Sequence, residues 1–321
     1  MKTTTIAARG VAGAGFRHEA YLYAGQEQFL RGTVPFIRDA FAADESVLVV
    51  VIREKIDRLR AELGSDVDRV SFLDMREVGR NPACLIPAWH DWVCDQTADG
   101  VRVRGVGGPI WVGRAPAEIA ECQLHEHLFN LAFADGPGWW LLCLYDTAAL
   151  DAEVIREARR SHPFVFEGGV HRESAAYETG IELVLFRTPL PEPGVRPEEM
   201  TFRTDGLLTV RDAVTRYAVG AGLPDPRVTD LVLAVNEVAA NSIRHGRGRG
   251  ILRLWRDEGM LVCEIHDKGH IDQPLVGRKR PTVSQNGGRG LWLVHQLCDL
   301  VQIRSSAEAG TVVRMFVSLR S

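Results

Sequence analysis

Glu237 and Asn241 stand four residues apart in the run DLVLAVNEVAANSIRHG, whose apolar positions recur at helical spacing. On a helix, residues i and i+4 lie one above the other, so a carboxylate and a carboxamide share one face. An amide oxygen is a hard ligand that suits Mg²⁺, an ion that keeps part of its water shell while it bridges nucleotide phosphates. A carboxylate beside it is placed to orient or deprotonate an attacking hydroxyl. Alone the pair proves nothing, because the solvent side of any amphipathic helix offers two such positions. His245 continues the stripe, but the helix dipole and a cap at Gly246 already account for it.

Three further groups complete the set. In LVCEIHD, strand alternation puts Asp267 on the same face as Leu261, Cys263 and Ile265. A carboxylate facing a core needs donors, and a nucleobase amino group is one; Gly269 would let a planar ring approach the backbone. In NGGRGLWLV, Gly287, Gly288 and Gly290 precede a helix, offering an anion free amides and a helix N-terminus together, with Arg289 able to reach a terminal phosphate. Thr311, just past Gly310, shares its parity with Val313, Met315 and Val317, so its hydroxyl faces inward and can assist Asp267 at a base. No GK[ST] occurs in the chain, which excludes a Walker-type phosphate loop.

These residues need a scaffold. The 321 residues exceed one ordinary domain, and 45% hydrophobic with 25% charged content suits core-forming domains. The segment from Thr188 to Met200 carries four prolines and reads as a linker at 188–200, between domains at 1–187 and 201–321. Before it, YLY, SVLVVVI, RVSFLDM, VRVRGV and WWLLCLY alternate with helix-length amphipathic runs, which predicts a mainly parallel α/β sheet covered on both faces. After it, two helices, a hairpin, a Gly-rich loop, a helix and two antiparallel strands predict an α+β sandwich with its helices on one face.

Charge and leader signals narrow the setting. With 38 basic against 42 acidic residues, no global positive field collects nucleic acid or anionic membrane. No apolar run is long enough to span a bilayer and the first residues lack a signal-peptide core, so a cytoplasmic location is expected. The six cysteines form no CxxC pair and read as reduced thiols. Cys84, His90, Cys94, Cys122, His125 and His127 offer metal-ligand types, but their spacings match no standard zinc pattern. His125 on a helix invites comparison with a phosphoacceptor; a hydrogen-bonded helix histidine is the simpler reading.

Taken together, ExxxNxxxHG (237–246), DxG (267–269), GGRGLWL (287–293) and GT (310–311) resemble the N box, G1 box, G2 box and terminal Thr of GHKL ATPases, across roughly residues 200–321. That resemblance implies a Bergerat fold with ATP and Mg²⁺: Asn241 on the metal, Glu237 as general base, Asp267 and Thr311 at adenine, and the 287–290 loop over the phosphates. The compact form is most similar to anti-sigma-factor serine kinases of bacterial partner-switching systems. Trp292 departs from the family, which usually has a small residue there, and so bears on transfer more than on binding.

Residues 17–169 resemble the MEDS sensory domain through RHEAYLYAGQEQFLRGTVPFIRDAFAADESVLVVV, CLYD (143–146) and SHPFVFEGG (161–169). The family implies a degenerate RecA-like α/β fold. AGQEQFL stands where a phosphate loop would be, so nucleotide hydrolysis is not expected there. His18 and His162 fall in the matching segments and are the better candidates to contact the unknown small ligand such a domain senses.

The resemblances together imply a signalling regulator that binds a sigma factor and phosphorylates a Ser or Thr of a STAS-type anti-sigma antagonist. Kinase relatives commonly dimerise, which leaves a homodimer open. Two alternatives stand beside this: an ATP-dependent binding module without phosphotransfer, and an atypical sensor histidine kinase.

Overall fold

Branched and aromatic runs become strands, and the amphipathic runs between them become crossover helices. The computed structural model describes residues 15–281 and 288–319. In chain order the first part reads β1 (Arg17–Tyr23), α1 (Gly25–Ala42), β2 (Glu45–Val51), α2 (Arg53–Leu63), β3 (Val70–Asp74), α3 (Met75–Val78), α4 (Leu85–Thr97), β4 (Arg102–Gly107), α5 (Pro116–Ala132), β5 (Trp140–Asp146), α6 (Ala152–Ser161), β6 (Phe164–Glu167), β7 (Val170–Glu173) and α7 (Ile181–Arg187). One sheet holds all seven strands in the order β3-β2-β4-β5-β1-β6-β7. Every pairing is parallel except the β6–β7 hairpin at its edge, which the mainly parallel expectation did not include.

Both faces of this sheet are buried, as a parallel sheet requires. One core packs Phe29 and Ile37 of α1 and Ile56 and Leu59 of α2 on Val47, Val49 and Val51. The opposite core packs Trp89 of α4, Leu124 and Leu128 of α5 and Ala158 of α6 on Ala20, Leu22, Leu141 and Cys143. At the β1–α1 turn the Gly25 N–H donates to Asp146 Oδ1 at 3.1 Å. An acidic group therefore holds the amide that a phosphate would have sought. Burial pushes the Lys55 ammonium nearby down to about 8.

The second part runs β8 (Glu198–Arg203), α8 (Leu207–Gly220), α9 (Asp225–His245), β9 (Arg249–Asp257), β10 (Met260–Asp267), α10 (Arg289–Leu297), β11 (Leu300–Ser306) and β12 (Gly310–Ser318). Its sheet, ordered β11-β12-β10-β9-β8, is antiparallel throughout. The three helices share one face: Val210 and Val214 of α8, Leu231, Val235 and Val238 of α9, and Val294 of α10 meet Leu261, Cys263, Ile265, Val313 and Met315. The parity read for β10 is the parity seen.

The stretch from Thr188 to Met200 does not stay irregular throughout. Its prolines end at Pro197, and Glu198–Met200 already pair with β9 as the start of the edge strand β8. Before the prolines, α7 sends Phe186 into the core of the second sheet. Among the described residues no helix is long and apolar enough to cross a membrane.

Candidate functional site

Sites far apart in sequence close on one cavity of about 520 Å³, within the roughly 300–1,000 Å³ common for small-molecule sites. Helix α9 contributes Glu237 and Asn241, β10 and its following turn Asp267 and Gly269, α10 its first turn, and β12 Thr311. Of the sequence-derived set, Glu237, Asn241, Asp267, Gly269, Gly288, Arg289, Gly290 and Thr311 line it together. Gly287 lies outside the described residues.

On the cavity wall Asp267 is a built acceptor. The Ser242 hydroxyl donates to Oδ2 at 2.6 Å and the Gly269 N–H to Oδ1 at 2.6 Å. A carboxylate has about four acceptor positions, so it can still take a donor from the cavity. Space around it is minimal: a Cβ on Gly246 would lie 2.6 Å from the Asp267 side chain, and one on Gly269 would lie 2.8 Å from Oδ1. Thr311 faces Asp267 across the β10–β12 ladder, and its hydroxyl donates to the Gly269 carbonyl at 3.1 Å. Ser305 touches Thr311 Oγ1 at 2.8 Å and accepts the Ile271 N–H at 2.9 Å. Thr311 thus fixes the turn beside Asp267 rather than binding the carboxylate itself.

On the same cavity the α10 N-terminus meets the α9 face. Gly288 caps α10 with φ 80°, a conformation in which side chains are strained. A Cβ on Gly290 would lie 2.9 Å from Glu237 Oε2 and 3.4 Å from Asn241 Nδ2. The N-terminal end of a helix, a carboxylate and a carboxamide therefore border the same space, an arrangement able to hold a polyanion together with a hard cation.

Ser242 and Ser305 were missed. Ser242 had a signal: it is a hydroxyl on the stripe Leu231, Val235, Val238 that faces the core, where a polar group must find a partner. Ser305 had none, because its role depends on the β11–β12 pairing.

Residues 17–163 match the family model MEDS, the MEthanogen/methylotroph, DcmR Sensory domain, and residues 200–317 match that of the Histidine kinase-like ATPase domain. The chain is a MEDS domain joined to a histidine kinase-like ATPase domain. Among solved structures, Acinetobacter baumannii histidine kinase AdeS overlaps 40% of this chain and 70% of that one, at 14% identity and a TM-score of 0.24, too loose a likeness to bear on the fold. No curated protein matches the chain.

The MEDS domain grips the ATPase domain beside the cavity. Arg278, on the stretch that leaves Asp267 and Gly269, is fully buried against Glu121 of α5, and Arg304 of β11 reaches the same carboxylate at 3.1 Å. Asn81 donates to the His295 carbonyl of α10 at 2.9 Å, and Arg80 pairs with Asp299 at 2.8 Å. Trp292 lines the groove between the domains beside Asn81 and Cys84, not the cavity, because the next helical position turns about 100° from Leu291. The ring therefore borders the domain groove rather than the cavity itself.

His125 is buried at the same interface, 3.4 Å from Arg278, where burial first and the arginine second hold it well below the usual imidazole range. It is closed to a phosphate donor, which weakens the histidine-kinase alternative for this residue.

Proposed function

We propose that the cavity binds ATP with Mg²⁺ and that the protein is a bacterial signalling regulator acting as an anti-sigma factor and serine/threonine kinase on a STAS-type antagonist, under control of the MEDS domain. In this reading Asp267 accepts the adenine amino group, Thr311 holds the turn beneath the base, and Asn241 ligates Mg²⁺. The first turn of α10, with Gly288, Arg289 and Gly290, receives the phosphates, and Glu237 is the general base toward the incoming hydroxyl. One observation carries this: the α10 N-terminus approaches the Glu237–Asn241 face at Gly290, on the same cavity that the acceptor Asp267 lines.

Control by the MEDS domain has a physical route. Helix α5 presents Glu121 and His125 to Arg278, and Arg278 belongs to the stretch between Asp267 and α10 that borders the cavity. A ligand that shifts α5 changes how that stretch is held, so occupancy of the MEDS domain biases the ATPase domain. We propose that the MEDS domain itself has a degenerate RecA-like fold.

The test is incubation of the full chain with labelled ATP and the STAS proteins of its host, for the wild type and for Glu237→Gln and Asn241→Ala. Transfer to a STAS serine or threonine, lost in both variants, supports the kinase. Binding without transfer in the wild type leaves the ATP-dependent binding module, and absence of both sinks the whole reading. Separately, Asp267→Asn swaps one acceptor oxygen for a donor facing the base. It is expected to cost about 1–3 kcal/mol, roughly 10- to 100-fold in ATP affinity by calorimetry, with GTP affinity changing far less.

A further inference from the structure

Inside the MEDS domain, apart from the cavity, four polar side chains meet with almost no solvent access: His18 of β1, Glu126 of α5, Cys143 of β5 and His162 at the end of α6. One atom from each lies within 4.8 Å of the others. The His162 Nε2 is 2.9 Å and the His18 Nε2 3.3 Å from Glu126 Oε2, and Cys143 Sγ is 3.4 Å from His18 Nε2. Phe16 stacks on His18, Phe129 leans on it, and Tyr145 meets His162 edge-on, so the surroundings are apolar.

The hydrogen bonds around the cluster decide which atoms carry protons. Asn130 Nδ2 donates to the Ser161 carbonyl at 2.8 Å, which orients its Oδ1 toward His18 Nδ1 at 3.0 Å. That oxygen only accepts, so His18 Nδ1 carries a proton and Nε2 is the ring atom that faces the cluster. His162 Nδ1 lies 2.7 Å from the Ala158 carbonyl, and the same reasoning puts a proton on Nδ1 and turns Nε2 to the cluster. Neither oxygen of Glu126 nor His162 Nε2 has an aligned hydrogen-bond partner. Two imidazole Nε2 atoms, a carboxylate and a thiol therefore crowd one buried spot, and neither oxygen of the carboxylate has an aligned donor. Such a concentration of acceptors is costly unless a cation sits among them.

We propose that these four side chains bind one divalent transition-metal ion, with Zn²⁺ the best match. Two imidazoles, a thiolate and a carboxylate make a four-ligand set of mixed hardness, which suits Zn²⁺ and excludes Mg²⁺ and Ca²⁺. Each histidine has an outer acceptor on its Nδ1–H, the arrangement that orients metal-bound imidazoles. A tetrahedral Zn²⁺ with bonds of about 2.0–2.3 Å separates its ligands by roughly 3.3–3.8 Å, so binding draws the widest pair in by about an ångström. All four positions are protein atoms, which makes the ion a structural or sensed ion rather than one that activates water. The ligands come from β1, α5, β5 and α6, so no sequence spacing announces them.

The experiment uses the full chain. Elemental analysis of protein grown with added zinc is expected to find one Zn²⁺ per chain, and protein reloaded with Co²⁺ is expected to show visible d–d bands with an intense near-ultraviolet thiolate-to-cobalt band. That band should vanish in Cys143→Ser, and Asn130→Ala, which removes only the outer partner of His18, should weaken Zn²⁺ binding by about 10- to 100-fold. Asn241→Ala, confined to the proposed nucleotide site, should leave the ion in place, which separates this site from the Mg²⁺ assignment. Wild-type protein that takes up neither Zn²⁺ nor Co²⁺ stoichiometrically, as when the cluster shares only a proton, overturns the proposal. So does a thiolate band that survives Cys143→Ser.

Discussion

Glu237→Gln is expected to lower phosphate transfer to a STAS substrate by about 10²–10⁴-fold, the range a general base contributes, while ATP remains bound. The substitution keeps the shape of the side chain and its place beside Gly290, so the cavity does not collapse. It also removes a negative charge close to the phosphates, so ATP affinity should hold or rise slightly. Radiolabel transfer and calorimetry on the same preparations check both halves. Parallel loss of binding and transfer would show that Glu237 shapes the cavity instead of acting on a proton. Retained transfer would remove the general-base role altogether.

Glu121→Ala should be the most damaging change at the domain interface. The carboxylate sits between two buried guanidiniums, Arg278 and Arg304, and without it both positive charges are left facing each other in a dry interface. Removing one partner of a buried ion pair typically costs about 3–5 kcal/mol. That cost falls on docking, so the expected readout is faster proteolysis within the proline-rich stretch and a larger radius of gyration in solution scattering. Replacing the triad together, Glu121→Leu with Arg278→Met and Arg304→Leu, should recover much of the docking, since apolar packing of similar volume often does as well as a buried ion network. If Glu121→Ala leaves proteolysis and dimensions unchanged, α5 is not the element that holds the domains together and the proposed control route loses its link.

Much of the candidate site was legible because its signals are local. Glu237 and Asn241 share a face by helical geometry alone, Asp267 and Thr311 turn inward by strand parity, and the glycines at 288 and 290 mark a helix start. Each of these depends only on residues within one element. The five first strands and the principal helices of the MEDS domain were legible for the same reason, while the short β6–β7 hairpin was too brief to show a period. His125 shows the limit: a helix histidine in sequence gives no sign that Arg278, from the other domain, will cover it.

By itself the sequence determined the types of the longer elements, the faces of α9, β10 and β12, and the pairing of the two domain families, because periodicity and backbone chemistry act over a few residues. The tertiary structure decided what lies opposite each face. It put Ser242 under Asp267, sent Trp292 into the domain groove, and closed Glu121 between two arginines. Above all it brought His18, Glu126, Cys143 and His162 together, since only the order β5-β1-β6, with α5 and α6 packed on the same face, makes those distant positions neighbours. Long-range contacts of that kind follow from how sheets order and helices cross over, which no local spacing encodes.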